Sequence, residues 1–375
     1  FQFAPSYIGE EFHLPHVPHP EGKKIYLKTL SVEPKVFEIE GFFVEAEADD
    51  IVRRAKTEKS ESHKLKRSST GADGYNVNPT RTSENAFDTH SKSAVDLKRR
   101  CFDVLGIRPY KENMADGLQV LRYNVTTAYI GHLDWIDPSP AVEHDFVTDG
   151  KGSNRFATIL LYMTDMDKEE GGETVWTRAT SLDEGAPGHA EALSGIRADP
   201  ELSKLFKQGS WEEKMVATCR SKLAVNPKRA KSVLFYSQLP DGTVDKASEH
   251  GGCPVLTDKK QKWAANLWVW NAPRMGYPEA PNKTDKKGDA RRKPPKSPSP
   301  PPEKKQPLVV FSNPGENPEF NDAVLYFGEE QRWGDFGPGQ VHRVNSFDGH
   351  VFNVKVGGKV VKSWRVGPEA EQKFV

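Results

Sequence analysis

Cysteine is scarce: Cys101, Cys219 and Cys253 are the only three in 375 residues, too few for a disulfide framework. One bridge is possible in an oxidising compartment, with Cys219 and Cys253 the preferred pair; three reduced thiols are the alternative. Long apolar runs are missing as well. No stretch of 18 apolar residues exists, so no segment is expected to span a bilayer as a helix. Neither sign of charge is in excess, since 53 Lys and Arg offset 53 Asp and Glu. That balance removes any global electrostatic case for nucleic acid or an anionic membrane as partner. The chain starts at Phe1, as expected of a mature or trimmed form with any signal or anchor upstream.

What remains is an ordinary globular composition, 36% apolar and 28% charged. The length suggests one large and one small domain. Residues 1–24 mix Pro, His and Glu with scattered aromatics and predict an irregular arm. Alternation around Pro34 (Ile25, Leu27, then Val36, Phe37, Ile39) predicts two short strands. A helix is expected from Glu45 to about Lys56, acidic in its first turn and basic in its last. A second is expected over roughly 86–105, and the Ser-, Lys- and Gly-rich residues 58–78 between them read as a mobile loop.

From residue 118 the pattern becomes β. Leu118–Tyr123, Thr158–Met163, Ser232–Tyr236 and Trp263–Trp270 are short apolar, β-branched or aromatic runs. Loops rather than regular helices separate them, which favours an antiparallel sandwich or barrel over a doubly wound sheet. Residues 177–215 interrupt the set with polar sequence and one candidate helix at Glu201–Phe206. Residues 281–307 hold nine basic and three acidic residues, many prolines and almost nothing to bury. A polyproline-like linker over 279–307 is therefore expected. It divides a large domain, 25–278, from a tail, 308–375, whose strand-like runs predict a small β-sandwich. Two N-glycosylation sequons occur, Asn124-Val-Thr126 in the first core strand and Asn282-Lys-Thr284 in the linker; the second suits a secreted chain.

The chemistry centres on Tyr123 to Asp134. His132 and Asp134 alternate on a strand and can share one ion; His250, from a later strand, can complete a 2-His-1-carboxylate set with open positions. A lone His-x-Asp is weak: His144-Asp145 shows how cheaply such pairs arise. A cation some ten residues past His250 would suit a buried carboxylate, and Lys259, Lys260 and Lys262 are the candidates.

In combination, LQVLRYNVTTAYIGHLD, NRFATILLYMTDMDKEEGGETVW and SEHGGCPV followed by KWAANLW resemble the prolyl 4-hydroxylase family of Fe(II)/2-oxoglutarate dioxygenases, nearest the transmembrane type, over about residues 25–270. The resemblance implies a double-stranded β-helix (jelly roll) core with N-terminal helices, followed by the small C-terminal β-sandwich. It implies Fe(II), 2-oxoglutarate and O₂ as cofactors, ascorbate as reductant, succinate and CO₂ as co-products, and a proline-rich peptide or protein as partner. His132, Asp134 and His250 would hold iron. Tyr123, Thr174 and a lysine would hold 2-oxoglutarate; Lys262 fits the Lys-Trp motif and Lys260 fits the spacing, with Lys262 preferred. Arg81, Tyr129, Arg155 and Trp268 would contact substrate, while Trp270 stands where the family often has histidine. The secretory pathway or endoplasmic reticulum lumen is the compartment implied. The calcium loop of the transmembrane type is missing from residues 56–80.

Rival functions are a 2-oxoglutarate oxygenase acting on another residue or a small molecule, and an inactive oxygenase fold serving as a hydroxyproline- or polyproline-binding module. In the tail, VNSFDGHVFNV resembles the von Hippel–Lindau β-domain, with Ser346 and His350 on its hydroxyproline-contacting positions and Phe352 replacing a tryptophan. The linker's Ser297-Pro-Ser-Pro-Pro-Pro302 is a candidate substrate in cis. One inconsistency stands in the central stretch: Tyr129 and His132 differ in strand parity, so a bulge or loop is needed near Ile130-Gly131.

Overall fold

The computed structural model describes the chain except for residues 1, 61–62, 71–75, 78, 137–152, 275–307, 316–319, 328–330, 346–350, 368–370 and 375. It falls into two compact units: Ala4–Tyr110 with Ala115–Ala272, and Phe1–Phe3 with Lys111–Met114 and Pro273–Val375. His144-Asp145, the linker with its sequon and proline run, Ser346 and His350 lie outside the described residues.

The N-terminal half of the larger unit carries helices α1 (Glu45–Thr57) and α2 (Lys92–Val104). α1 buries Ala48, Ile51 and Ala55. Arg100 of α2 reaches Glu47 with two bonds, Nη1 donating to Oε2 at 3.1 Å and Nη2 to Oε1 at 3.0 Å. α2 begins six residues later than expected. Glu84–Asp88 is a strand, and Ser91 then caps the helix by accepting from the Ala94 amide at 3.0 Å. The expected loop at 58–78 carries short strands: Lys66–Arg67 pairs with Glu84–Asp88, and Ser69–Thr70 with Asn76–Val77.

Eight strands build the core: β1 (Leu118–Tyr123), β2 (Tyr129–His132), β3 (Arg155–Tyr162), β4 (Thr174–Thr180), β5 (Lys222–Val225), β6 (Ser232–Tyr236), β7 (His250–Gly252) and β8 (Lys262–Trp270). They divide into two sheets, with orders β6-β3-β8-β1 and β2-β7-β4-β5, all antiparallel. Alternate strands passing between two facing sheets make a jelly roll. The first sheet continues outward on the β6 side with Val36–Glu40, Tyr26–Ser31 and Glu11–His13, and on the β1 side with Glu84–Asp88 and Lys66–Arg67. Tyr162, Trp176, Leu223 and Phe235 fill one end of the space between the sheets. Burying aromatics of this size stabilises the pair of sheets by about 2–3 kcal/mol each on an area basis.

Two helices were not legible as such. The polar interruption holds α3 (His189–Ala198) and α5 (Trp211–Ser221) besides the short α4 (Leu202–Leu205) near the expected position. They share a small core of Ala192, Ile196, Leu202, Val216 and Ala217. Arg197 donates to both carboxylate oxygens of Glu213, at 2.9 and 3.0 Å. The Cys219–Cys253 disulfide joins α5 to the residue after β7, with Cα atoms 6.2 Å apart.

The smaller unit packs two four-stranded sheets around Val309, Phe311, Leu325, Phe336, Phe352 and Trp364. One sheet contains Gln2–Phe3, paired with Val341–Asn345. The arm expected over 1–24 is thus not irregular throughout: Gln2–Phe3 and Glu11–His13 are both strands. Two or three residues are too short to show a period, and their order comes from the sheet edges they join. Two further tail strands, Gln331–Asp335 and Glu371–Phe374, were not expected.

Candidate active site

Where β2 ends and β7 begins, His132 lies opposite His250. Tyr129 lies opposite Gly252, and the register slips between these two pairs. This is the irregularity that the parity of Tyr129 and His132 required. It brings the two rings together, stacked at 3.7 Å between centroids and 21° between planes. Asp134 is not on the strand. It lies in the bend two residues beyond His132, so the loop rather than strand alternation brings it beside the histidines.

The three side chains converge. His132 Nε2 is 3.9 Å from Asp134 Oδ1, and His250 Nε2 is 3.6 Å from Oδ2. One ligand atom from each lies within 4.8 Å of the others. Both imidazoles turn Nδ1 to a backbone carbonyl, His132 to Ile130 at 2.9 Å and His250 to Ser248 at 3.0 Å. A protonated Nδ1 donates there, leaving the Nε2 lone pairs facing the gap; this is the second-shell arrangement that orients metal-binding histidines. Burial, then the neighbouring His250, pushes His132 down to about 3, so its ring is neutral at physiological pH. Burial works to raise Asp134, but His250, His132 and Arg155 outweigh it and hold the carboxyl at about 2. Thr158 donates to Asp134 Oδ2 at 2.6 Å.

Beside this cluster a pocket opens, floored by β1, β3 and β8. Lys262 lies across from Tyr123, Ala264 from Leu121, and Asn266 from both Gln119 and Leu160. The pocket is lined by Leu121, Tyr123, Leu160, Thr174, Phe235, Lys262 and Asn266, with both histidines on it. Lys262 is 2% exposed, with its ammonium 4.6 Å from the Tyr123 ring centroid. Among the described residues it forms no ion pair. Burial drives it down to about 7, opposed by the charge of Glu173. Lys260 is elsewhere: it is exposed and bound to Glu170 at 2.7 Å. A buried cation without a counter-ion is costly, and a ligand carboxylate would satisfy it. A metal-capable donor set at the edge of a pocket that holds such a cation fits Fe(II) and a dicarboxylate.

The remaining expected residues gather at the other side of the cluster. Arg81 stacks on Tyr129, 4.6 Å from the ring centroid, and donates to Gln119 Oε1 at 3.2 Å. Arg155 lies 3.7 Å from the Trp268 ring centroid and donates to Asp116 Oδ2 at 3.1 Å. Trp270 is buried across from Arg155. Thr158, Asp116, Gln119 and Asn266 were not singled out from the sequence. Asn266 carried a signal, since it shares strand parity with Lys262 and Trp268. Asn124 is in the turn after β1, not in the core strand, and donates to Glu84.

Residues 118–270 match the model of the 2OG-Fe(II) oxygenase superfamily. Prolyl 4-hydroxylase 2 of Arabidopsis thaliana is 33% identical over 251 residues, covering 65% of this chain and 69% of that protein. Prolyl 4-hydroxylase 5 of the same plant is 29% identical over 245 residues, covering 65% and 70%. Among solved structures, the viral collagen prolyl hydroxylase of Paramecium bursaria chlorella virus 1, in its 2OG complex, aligns over 63% of this chain and 96% of that one, with 18% identity and a TM-score of 0.40.

Proposed function

The chain belongs to the prolyl 4-hydroxylase family of Fe(II)/2-oxoglutarate oxygenases, and from that premise we propose that it hydroxylates C4 of prolyl residues in proline-rich peptides or proteins. The observation that carries this assignment is that both histidines of the His132–Asp134–His250 cluster line the same pocket as the uncompensated Lys262. In this scheme the two Nε2 atoms and one Asp134 oxygen hold Fe(II), which when bound with 2-oxoglutarate supplies O₂ activation and hydrogen abstraction.

The chain's own contribution is positioning. Lys262 pairs with the distal carboxylate of 2-oxoglutarate, and the Tyr123 hydroxyl and Thr174 supply hydrogen bonds beside it. Tyr123 is buried and its hydroxyl stays protonated, because burial raises its pKa. Leu121, Leu160 and Phe235 give the pocket apolar walls, which exclude water and strengthen the Lys262 ion pair. Tyr129, packed flat on His132, fixes that ring and is itself held by Arg81 over its ring. Trp268 and Arg155 form the aromatic and cationic surface offered to a prolyl ring and its peptide carbonyl. Ascorbate is the reductant this scheme calls for. The secretory pathway is the proposed compartment, because a Cys219–Cys253 bridge persists only under oxidising conditions.

The test is incubation of the purified chain with Fe(II), 2-oxoglutarate, ascorbate and proline-rich peptides in air, read by tandem mass spectrometry and succinate release. One oxygen gained per modified proline, together with succinate, is expected, and His132→Ala should lose both. Oxygen placed on lysyl residues instead, or succinate that no proline-rich peptide increases, would overturn the proposal.

A further inference from the structure

Arg155 and Thr158 both reach Asp134 although they are three residues apart on β3. On a regular strand they would point to opposite faces. The register of β3 against β8 slips between Arg155 and Ala157, and this slip turns both side chains inward. Their contacts differ in kind. Thr158 makes a hydrogen bond to Oδ2. Arg155 Nη1 stops 4.0 Å from Oδ1, beyond hydrogen-bond reach but close enough for Coulomb attraction.

A guanidinium beside a buried carboxylate would ordinarily close to a bidentate contact of about 2.8 Å. Here Arg155 is retained from the other side. Asp116 accepts from its Nε at 3.1 Å, and the Asp116 amide is itself held by the Trp268 carbonyl at 3.2 Å. The Trp268 ring lies under the guanidinium plane. Asp116 and Arg155 are both largely buried, with side chains 13% and 21% exposed, so solvent screens the contact only weakly.

We propose that Asp116 is a positioning residue for the metal site: it holds Arg155 back, so that Asp134 Oδ1 stays uncapped and open to the metal. Without Asp116, Arg155 advances onto Oδ1, and the metal must break that ion pair to bind. This rests on the assignment of Asp134 as an iron ligand.

The test is equilibrium titration of the metal-free full chain with Co(II), followed by visible absorption, for wild type, Asp116→Asn, Arg155→Ala and the double variant. Asp116→Asn should raise the Co(II) Kd about tenfold, in the range of outer-shell substitutions. Asp116→Glu, which restores the charge, should recover most of the affinity. The double variant should bind as tightly as Arg155→Ala alone, because the competitor is gone. Asp116→Ser replaces Asp116→Asn should the latter not fold, as judged by thermal melting, and is read the same way. An unchanged Kd in the Asp116 variant, or a loss that persists undiminished in the double variant, overturns the inference. Failure of wild type to bind Co(II), or unchanged binding in His132→Ala, overturns the iron assignment instead.

Discussion

Lys262 and Tyr123 face each other across the β8–β1 ladder, the ammonium 4.6 Å from the ring centroid, and both line the pocket. The ring face offers the cation some attraction, worth about 2 kcal/mol at most where water is excluded. It does not replace a counter-ion. Lys262→Met keeps the stem and removes the charge, so the KM for 2-oxoglutarate should rise about 100-fold, as expected for losing a charge-assisted bond of about 2–3 kcal/mol. The KM for peptide should hold steady, and the chain without cosubstrate should melt higher. Lys260→Met is the comparison. That lysine is tied to Glu170 at the surface, and its loss should leave both constants within about twofold. Equal effects from the two substitutions would remove Lys262 from the cosubstrate site.

The same lysine sets a pH dependence. Burial lowers Lys262 from 10.5 to about 7. Between those values the unfolded chain binds the proton and the folded chain does not, so this group makes stability rise as pH climbs from 7 to 10.5. Glu173 works in the adjoining window: burial raises it from 4.5 to about 7, so its contribution to stability is lost as pH rises over that interval. Together the two groups place a stability minimum near pH 7 in the chain without cosubstrate, measurable by denaturant melts. Cosubstrate binding needs the ammonium. Above pH 7 the affinity for 2-oxoglutarate should fall by about tenfold per unit in calorimetry. Lys262→Arg, which stays charged, should abolish that slope even if it binds more weakly.

Much of this site was legible before any coordinates. His132-x-Asp134 and His250 could be paired from residue type, and the mismatch in parity between Tyr129 and His132 located a register slip that the ladder shows. What strand alternation could not supply was Asp134, which lies past the end of β2 and is placed by its bend and by Thr158. Arg155 was expected, from the family resemblance, to contact substrate. Its leash to Asp116 was not, because 39 residues and a bulge separate them. The helices inside 181–221 do leave a trace in the sequence: Ser210 and Glu213 have capping-box spacing, and Ser210 accepts from the Glu213 amide. Polarity obscured it, since most of the outer helix faces are solvated.

The Cys219–Cys253 bridge closes 34 residues of chain, spanning α5, β5, β6 and β7. On the loop-entropy account, a closed segment of that length is worth about 4 kcal/mol. Cys219→Ala should lower the midpoint of denaturant unfolding accordingly, and dithiothreitol should do the same to wild type but nothing further to the variant. Cys101 provides the contrast. It is a buried thiol outside any bridge, so Cys101→Ala should cost only the small transfer and cavity terms, about 1 kcal/mol. Indistinguishable melts for oxidised and reduced wild type would show that the bridge adds nothing.

Gly251 separates His250 from Gly252 on β7, and its lack of a side chain is a geometric requirement. A Cβ there would lie 2.4 Å from the Met215 methyl and 2.8 Å from the Tyr129 carbonyl oxygen. The flexible end of the Met215 side chain can swing aside. The carbonyl cannot, because it belongs to the strand that carries His132. Relief must therefore come from spreading β7 away from β2, which pulls His250 from His132. Gly251→Ala should thus remain folded, with about 1–3 kcal/mol lost to overpacking, yet bind Co(II) more than tenfold more weakly. The decisive comparison adds Met215→Ala. That second change removes the softer clash, at the cost of a core cavity that Met215→Ala alone measures. It should not recover metal affinity, because the Tyr129 oxygen still meets the new methyl group. Restored affinity in the double variant would show that the methionine alone set the spacing of the two histidines.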